Sequence, residues 1–284
     1  MLSLAGALID THAAPAPVTA ARAFDLALLS DVGTNRQNNE DACGSHAESE
    51  KCVIFAVADG VGGYEGGEIA SAHAIEVTLN VFCKSPAGWG PAKRLYRAVQ
   101  QANIEIHNRA LTVPELRRMA TTLTAAVVSD GVLYAAHVGD CRIYHIRRGK
   151  VRQITKDHTV IQERVRMGLI SPERARHHPE RSALSRCMGH ELIVAIDRIT
   201  LPLQQNDQLL VCTDGLHSVI EDGELGKIIR GLEAATACQQ LVDLANQRGT
   251  ADNLTVAIFT SKTDPPPARP GWRDRMAALF RRRP

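Results

Sequence analysis

Five aspartates stand at the ends of apolar runs: Asp41 in NNEDACG, Asp59 in VADGVGG, Asp140 in HVGDCR, Asp214 in CTDGL and Asp252 in ADNLTVAIF. Taken singly, each is an ordinary turn former, because Asp hydrogen-bonds its own backbone and a following Gly supplies positive φ. Asp130-Gly131 is read as such a turn and nothing more. Five identical acids in one setting have a second reading. Carboxylates converging at strand ends repel one another and raise each other's pKa unless a cation neutralises them. Hard oxygen donors without clustered Cys or His suit magnesium or manganese rather than zinc or copper. Two such ions about 3.5–4 Å apart can hold a hydroxide between them, a nucleophile able to attack phosphorus at neutral pH. Such chemistry also needs an anion receptor. Arg36, five residues before Asp41, is the candidate, since a guanidinium grips phosphate oxygens bidentately where an ammonium cannot. An isolated arginine is more often a surface ion-pair residue.

The elements that would position these residues are readable from periodicity. KCVIFAVADG (51–60) and DQLLVCTDG (207–215) are continuous apolar runs of strand length that stop at Asp-Gly, the pattern of strands buried on both faces. Residues 121–154 are apolar and β-branched segments broken at Asp130-Gly131, Gly139-Asp140 and Arg148-Gly149. That spacing predicts an antiparallel meander whose successive hairpins share one sheet. Helical spacing predicts helices over 66–83 (Ile69, His73, Val77, Val81 inward), over 91–109 (Leu95, Val99, Ala102, Ile106) and over 233–248. Sheets in the middle with helices outside make a layered α+β architecture.

Composition bounds the rest. A formal net charge of only +2 gives no electrostatic case for nucleic acid as a partner. Seven scattered cysteines with no zinc-type spacing suit a reduced cytosol, and the first ten residues lack a signal peptide's basic start, so a cytoplasmic location is expected. Residues 1–22, rich in Ala and Pro, read as a flexible lead-in, 23–261 as the globular domain, and 262–284 as a Pro-rich linker with a basic amphipathic tail. Trp272, Met276, Leu279 and Phe280 share one helical face of that tail. One short helix gives only marginal surface binding, so no stable membrane association is expected; the chain is read as a monomer.

The strings RQNNEDA, VADGVGG, TTLTAAVV, AAHVGDCRIY, TKDHT, LLVCTDGL and DNLTVAIF occur in the order and approximate spacing of the protein phosphatase 2C family, the metal-dependent serine/threonine phosphatases. The resemblance covers about residues 24–260. It implies two packed antiparallel β-sheets, a β-sandwich flanked by α-helices on both sides in four αββα layers, with a two-metal centre at one end. It implies that Asp59 bridges two Mn2+ or Mg2+ ions, that the Gly60 carbonyl binds the first, and that Asp214 and Asp252 bind the second. Glu40 and Asp41 would hold metal-bound waters, Arg36 the substrate phosphate, and Asp140 a third, weaker ion with Asp214 as its possible second ligand. The implied activity is hydrolysis of phosphoserine and phosphothreonine in proteins by a metal-bridging hydroxide, opposing a bacterial serine/threonine kinase. Two other readings stay open: a catalytically weak pseudophosphatase that binds phosphoproteins, and another two-metal hydrolase such as a nuclease.

Two positions depart from the family. Val61 stands where some members have a histidine proposed as general acid, so that role has no residue here. Cys141 replaces the usual serine and is read as a small buried residue. Residues 156–190 resemble the flap beside the metal site of bacterial members, with a helix-like TVIQERVRMG, a helix start at Ser171-Pro172, and a basic cluster of Arg174, Arg176, His177, His178 and Arg181. Phosphopeptides could be steered to that cluster, and a solvated charged loop is the alternative. His137 and His158 are read as structural.

Overall fold

Uninterrupted apolar runs form the inner strands of two sheets. The computed structural model describes residues 23–263 apart from 62–65, 87 and 177. The first sheet has the order β1 (Phe24–Asp31), β10 (Leu254–Ser261), β9 (Gln208–Cys212), β6 (Arg142–Arg147), β7 (Lys150–Gln153). The second has the order β2 (Asp41–Ser49), β3 (Cys52–Asp59), β4 (Leu123–Ser129), β5 (Val132–Val138), β8 (Asp197–Pro202), and every pairing in both is antiparallel. β3 and β9, the two runs that end in Asp-Gly, both occupy inner places, β9 at the centre of its sheet and β3 next to the edge strand β2 of the other. β1 and β10 pair over their whole length, from Phe24 opposite Ser261 to Asp31 opposite Leu254.

Between the sheets lies a core of Phe24, Val53, Phe55, Val57, Leu133, Ile143, Val211 and Phe259. Phe259 stacks on Phe24 and Phe55 with ring centroids 5.7 and 6.0 Å apart, a contact that adds to the burial of three large rings. The outer face of the second sheet is covered by α1 (Gly67–Lys84) and α2 (Pro91–Thr112), and that of the first by α5 (Asp214–His217), α6 (Asp222–Ile228) and α7 (Ala234–Gln247). The architecture is the four-layer α+β sandwich that the resemblance implied. Leu95, Val99, Ala102 and Ile106 of α2 are buried as the periodicity predicted.

Two expectations are corrected. Residues 121–154 do not form one sheet. The β4–β5 hairpin lies in the second sheet and the β6–β7 hairpin in the first, because β5 takes β8 as its other neighbour while β6 pairs with β9. The chain changes sheets at Gly139–Cys141, where Gly139 adopts a φ of 110°. The inward face of α1 is also different: Ala70, Ala74, Ile75, Val77, Thr78 and Phe82 are buried, whereas Ile69 is exposed. Small residues let α1 approach β2 so closely that a Cβ on Gly44 would lie 2.7 Å from the Ile75 side chain. The amphipathic tail, including Trp272 and Phe280, lies outside the described residues, as do Gly62, Gly63 and His177.

Candidate metal centre and phosphate site

Strand register places the first two acids side by side. Asp41 opens β2 directly opposite Asp59, the last residue of β3. The Asp59 backbone is gripped by the two residues before β4: its N–H donates to Thr122 Oγ1 at 2.9 Å, and its carbonyl accepts from Thr121 Oγ1 and from the Thr122 N–H, each at 2.8 Å. Gly60 donates its N–H to the Glu40 carbonyl at 3.0 Å. A Cβ on Gly60 would lie 2.5 Å from the Gly67 backbone and 2.7 Å from the Glu40 carbonyl oxygen, so only glycine fits. The Glu40 carboxyl lies against Gly67 at the start of α1.

The other sheet supplies the facing acids. Asp214 opens α5 just after β9, and Thr213 beside it donates its hydroxyl across the sandwich to Asp41 Oδ2 at 2.9 Å. Asp252 precedes β10, and Arg36, from the β1–β2 crossing, donates to its Oδ2 at 2.8 Å. Asn253 ties that crossing down: its Oδ1 accepts from the Glu40 N–H, and its Nδ2 donates to the Val32 and Asn38 carbonyls, all at 2.9 Å. Asp140 sits in the β5–β6 crossing, where its carbonyl lies 3.2 Å from His217 Nε2. The structure therefore brings Arg36, Glu40, Asp41, Asp59, Gly60, Asp140, Asp214 and Asp252 to one end of the sandwich.

Burial is the largest cause of the unusual acidities there. It pushes the Asp59 and Asp140 carboxyls well above the ordinary aspartate range, and the neighbouring carboxylates push them further. Asp41 rises to about 7, raised by burial and by Asp214 and Asp252, against the opposing hydrogen bonds from Thr255 and Thr213. Asp214 rises to about 6 through burial and Asp252, although Arg36, Arg181 and Arg142 pull it down. Glu40 is raised, again by burial first. Asp41 Oδ1 and Asp214 Oδ1 are buried with no hydrogen-bond partner.

This donor set fits hard divalent cations: it is half-buried, acidic, all-oxygen, and holds unpartnered buried oxygens. Among the described residues, no three carboxylate, imidazole or thiolate groups already close on one point as ligands, and Asp252 is turned to Arg36. Cys141 is fully buried, 3.1 Å from Thr122 Oγ1, and burial holds its thiol well above the usual range. His137, also buried, lies between Thr124 Oγ1 at 2.8 Å and the Lys156 carbonyl at 3.1 Å; burial lowers its pKa to about 4, which keeps it a neutral structural group.

Sequence reasoning missed the residues that hold the acids in place. Thr121 and Thr122 were read only as part of a β-branched run, and Thr213 and Asn253 only as neighbours of aspartates. The adjacency of Thr213 to Asp214 and of Asn253 to Asp252 was the available signal. The flap's first anchor was missed too: Asp157 accepts from Arg142 Nη2 at 2.7 Å and Nε at 3.0 Å.

Residues 33–255 match the protein phosphatase 2C family. The chain is 33% identical over 237 residues to a serine/threonine phosphatase, stp, of Listeria innocua, covering 80% of this chain and 92% of that protein. Its fold is similar to the crystal structure of the Mycobacterium tuberculosis serine/threonine phosphatase PstP/Ppp, with a TM-score of 0.77 and 34% identity, covering 84% of this chain and 99% of that one. It is also similar to the catalytic domain of PstP in complex with 2 manganese ions, with a TM-score of 0.74 and 33% identity, covering 84% of this chain and 97% of that one. The chain belongs to the protein phosphatase 2C family.

Proposed function

We propose that this site hydrolyses phosphoserine and phosphothreonine in proteins. The chain is a metal-dependent protein serine/threonine phosphatase, an enzyme of the phosphoric monoester hydrolase class. The observation that carries the reading is the half-buried carboxylate cluster drawn from both sheets, with buried unpartnered oxygens on Asp41 and Asp214, beside a partly exposed Arg36. Residues 23–261 form the catalytic domain, and its substrates are phosphoproteins made by a serine/threonine kinase.

Asp59, the Gly60 carbonyl, Asp214 and Asp252 would hold two manganese or magnesium ions, and Asp140 a third. When bound, the ions neutralise the carboxylates and activate the attacking water. The threonine grip at 121–122 fixes the Asp59 peptide, and Thr213 fixes Asp41, so the carboxylates keep their orientation through turnover. Arg36, its charge shared with Asp252, turns to the phosphate oxygens and orients the ester. Water adds to phosphorus as the bond to the serine or threonine oxygen breaks, giving inorganic phosphate and the free hydroxyl. Val61 is a hydrocarbon and gives no proton to that leaving oxygen.

The test is phosphate release from a phosphothreonine peptide in manganese. Excess chelator, or Asp59→Ala, is expected to lower kcat/KM by about 100-fold or more. Full activity under either condition overturns the reading. Faster turnover of nucleic acid or nucleotides than of the peptide moves it to another two-metal hydrolase.

A further inference from the structure

The segment between β7 and β8 leaves the first sheet and enters the second. It has little core of its own: α3 (Val160–Arg166) buries only Ile161, and α4 (Pro172–Arg176) buries nothing. With few buried apolar contacts, such a segment takes its position from its attachments rather than from internal packing. Asp157 on Arg142 ties its start to β6 of the first sheet.

Its return leg, which forms isolated bridges and no strand, is tied elsewhere. Leu184 bridges to Thr159, and Met188 bridges to Thr121, the residue whose hydroxyl holds the Asp59 carbonyl. Between those bridges Arg186 extends its guanidinium to the second sheet. Arg186 Nη1 donates to Asp197 Oδ1 at 2.9 Å and to the Ala195 carbonyl at 3.2 Å, and lies 3.0 Å from His158 Nε2. His158 Nδ1 accepts from the Gly139 N–H at 3.0 Å, so the proton of this neutral ring sits on Nε2. That N–H faces Asp197 Oδ2 at 3.3 Å, and Arg186 serves the other carboxylate oxygen. One carboxylate thus collects the return leg through Arg186 and, through His158, the turn that carries Asp140.

We propose that Arg186 is a positioning residue: the Arg186–Asp197–His158 latch, with the carboxylate at its centre, sets where the flap stands beside the site, and so how tightly a phosphoprotein is held. The inference rests on the phosphatase reading above. The flap lies near the acids, since Met188 pairs with Thr121, which holds the Asp59 carbonyl, and His158 accepts from Gly139 beside Asp140. Its exposed surface carries Arg166, Arg174, Arg176 and Arg181 together with Met167 and Leu169. A peptide flanking the phosphoresidue reaches that surface; a small aryl phosphate does not. The latch is partly exposed, with Arg186 at 26% and Asp197 at 41%, so losing it shifts the flap without unfolding the sandwich.

Arg186→Ala, Arg186→Lys and Asp197→Asn are compared with the unaltered full chain in saturating manganese, on a phosphothreonine peptide and on p-nitrophenyl phosphate. Hydrogen exchange is read across 158–188 and across β3. Arg186→Ala and Asp197→Asn are expected to raise the peptide KM about tenfold while kcat/KM for p-nitrophenyl phosphate stays within about twofold. Exchange should quicken in the flap and not in β3, and Arg186→Lys, which keeps a cation on Asp197, should recover most of the peptide KM. Equal losses on both substrates, or an unaltered peptide KM in Asp197→Asn, overturn the latch even if Arg186→Ala fails to fold. An unaltered chain inactive on both substrates overturns the phosphatase reading instead, and unchanged flap exchange in Asp197→Asn then still overturns the latch.

Discussion

Arg36 donates to Asp252 Oδ2 at 2.8 Å with much of its side chain in solvent, so a phosphate bound as proposed would meet a guanidinium that it must draw from a carboxylate. Arg36→Lys keeps the charge and loses the planar fork. The KM for a phosphothreonine peptide is expected to rise about tenfold, with a smaller fall in kcat. Steady-state kinetics check this, and an unchanged KM would remove Arg36 from the phosphate site. The acids themselves were legible because the same residue recurs in the same strand-end setting. Their holders were not. Thr122 acts on a backbone N–H 63 residues away and Asn253 on one 213 residues away, and nothing in a local pattern encodes which distant peptide group a hydroxyl or amide will meet.

Among the elements, the two inner strands and α2 were readable from apolar continuity and helical spacing. The hairpins at 121–154 were readable one by one but not in their partition between sheets, since a strand's neighbours are settled by the other strands that compete for its edges. The Asp-Gly pairs divide in an instructive way. Asp130-Gly131 is the turn the sequence suggested, with φ of 48° and 71°. Gly60 and Gly215 are absent from the positive-φ glycines, and their need for glycine comes from close approach instead. A Cβ on Gly215 would overlap the Asn253 carbonyl oxygen, where the start of α5 meets the start of β10. Gly215→Ala is therefore expected to cost about 1–3 kcal/mol and to move Asp214 relative to Asp252. Urea unfolding reads the first effect and manganese titration the second; an alanine variant of unaltered stability would mean that this contact yields easily.

At the scale of the whole molecule, the site couples folding to pH and to metal. Asp41 and Asp214 have folded pKa values of about 7 and about 6, above the 3.8 of an unperturbed aspartate. Over the interval between, the folded chain holds protons that the unfolded chain has released. The metal-free fold therefore loses stability as pH rises from about 4 to about 7. In chelator the unfolding midpoint should drop as pH rises from about 4 to about 7, and manganese should restore more of it at the higher pH, where the ligands are ionised. Calorimetry with and without manganese tests both, and a flat metal-free profile contradicts the picture. The first and last strands decide how the molecule can be mounted. β1 and β10 lie antiparallel in full register, and an eight-residue strand spans about 26 Å. Both ends of the described chain therefore emerge from the blind end of the sandwich. The polypeptide thus enters and leaves the described domain at the end opposite the acids, about a strand's length away from them.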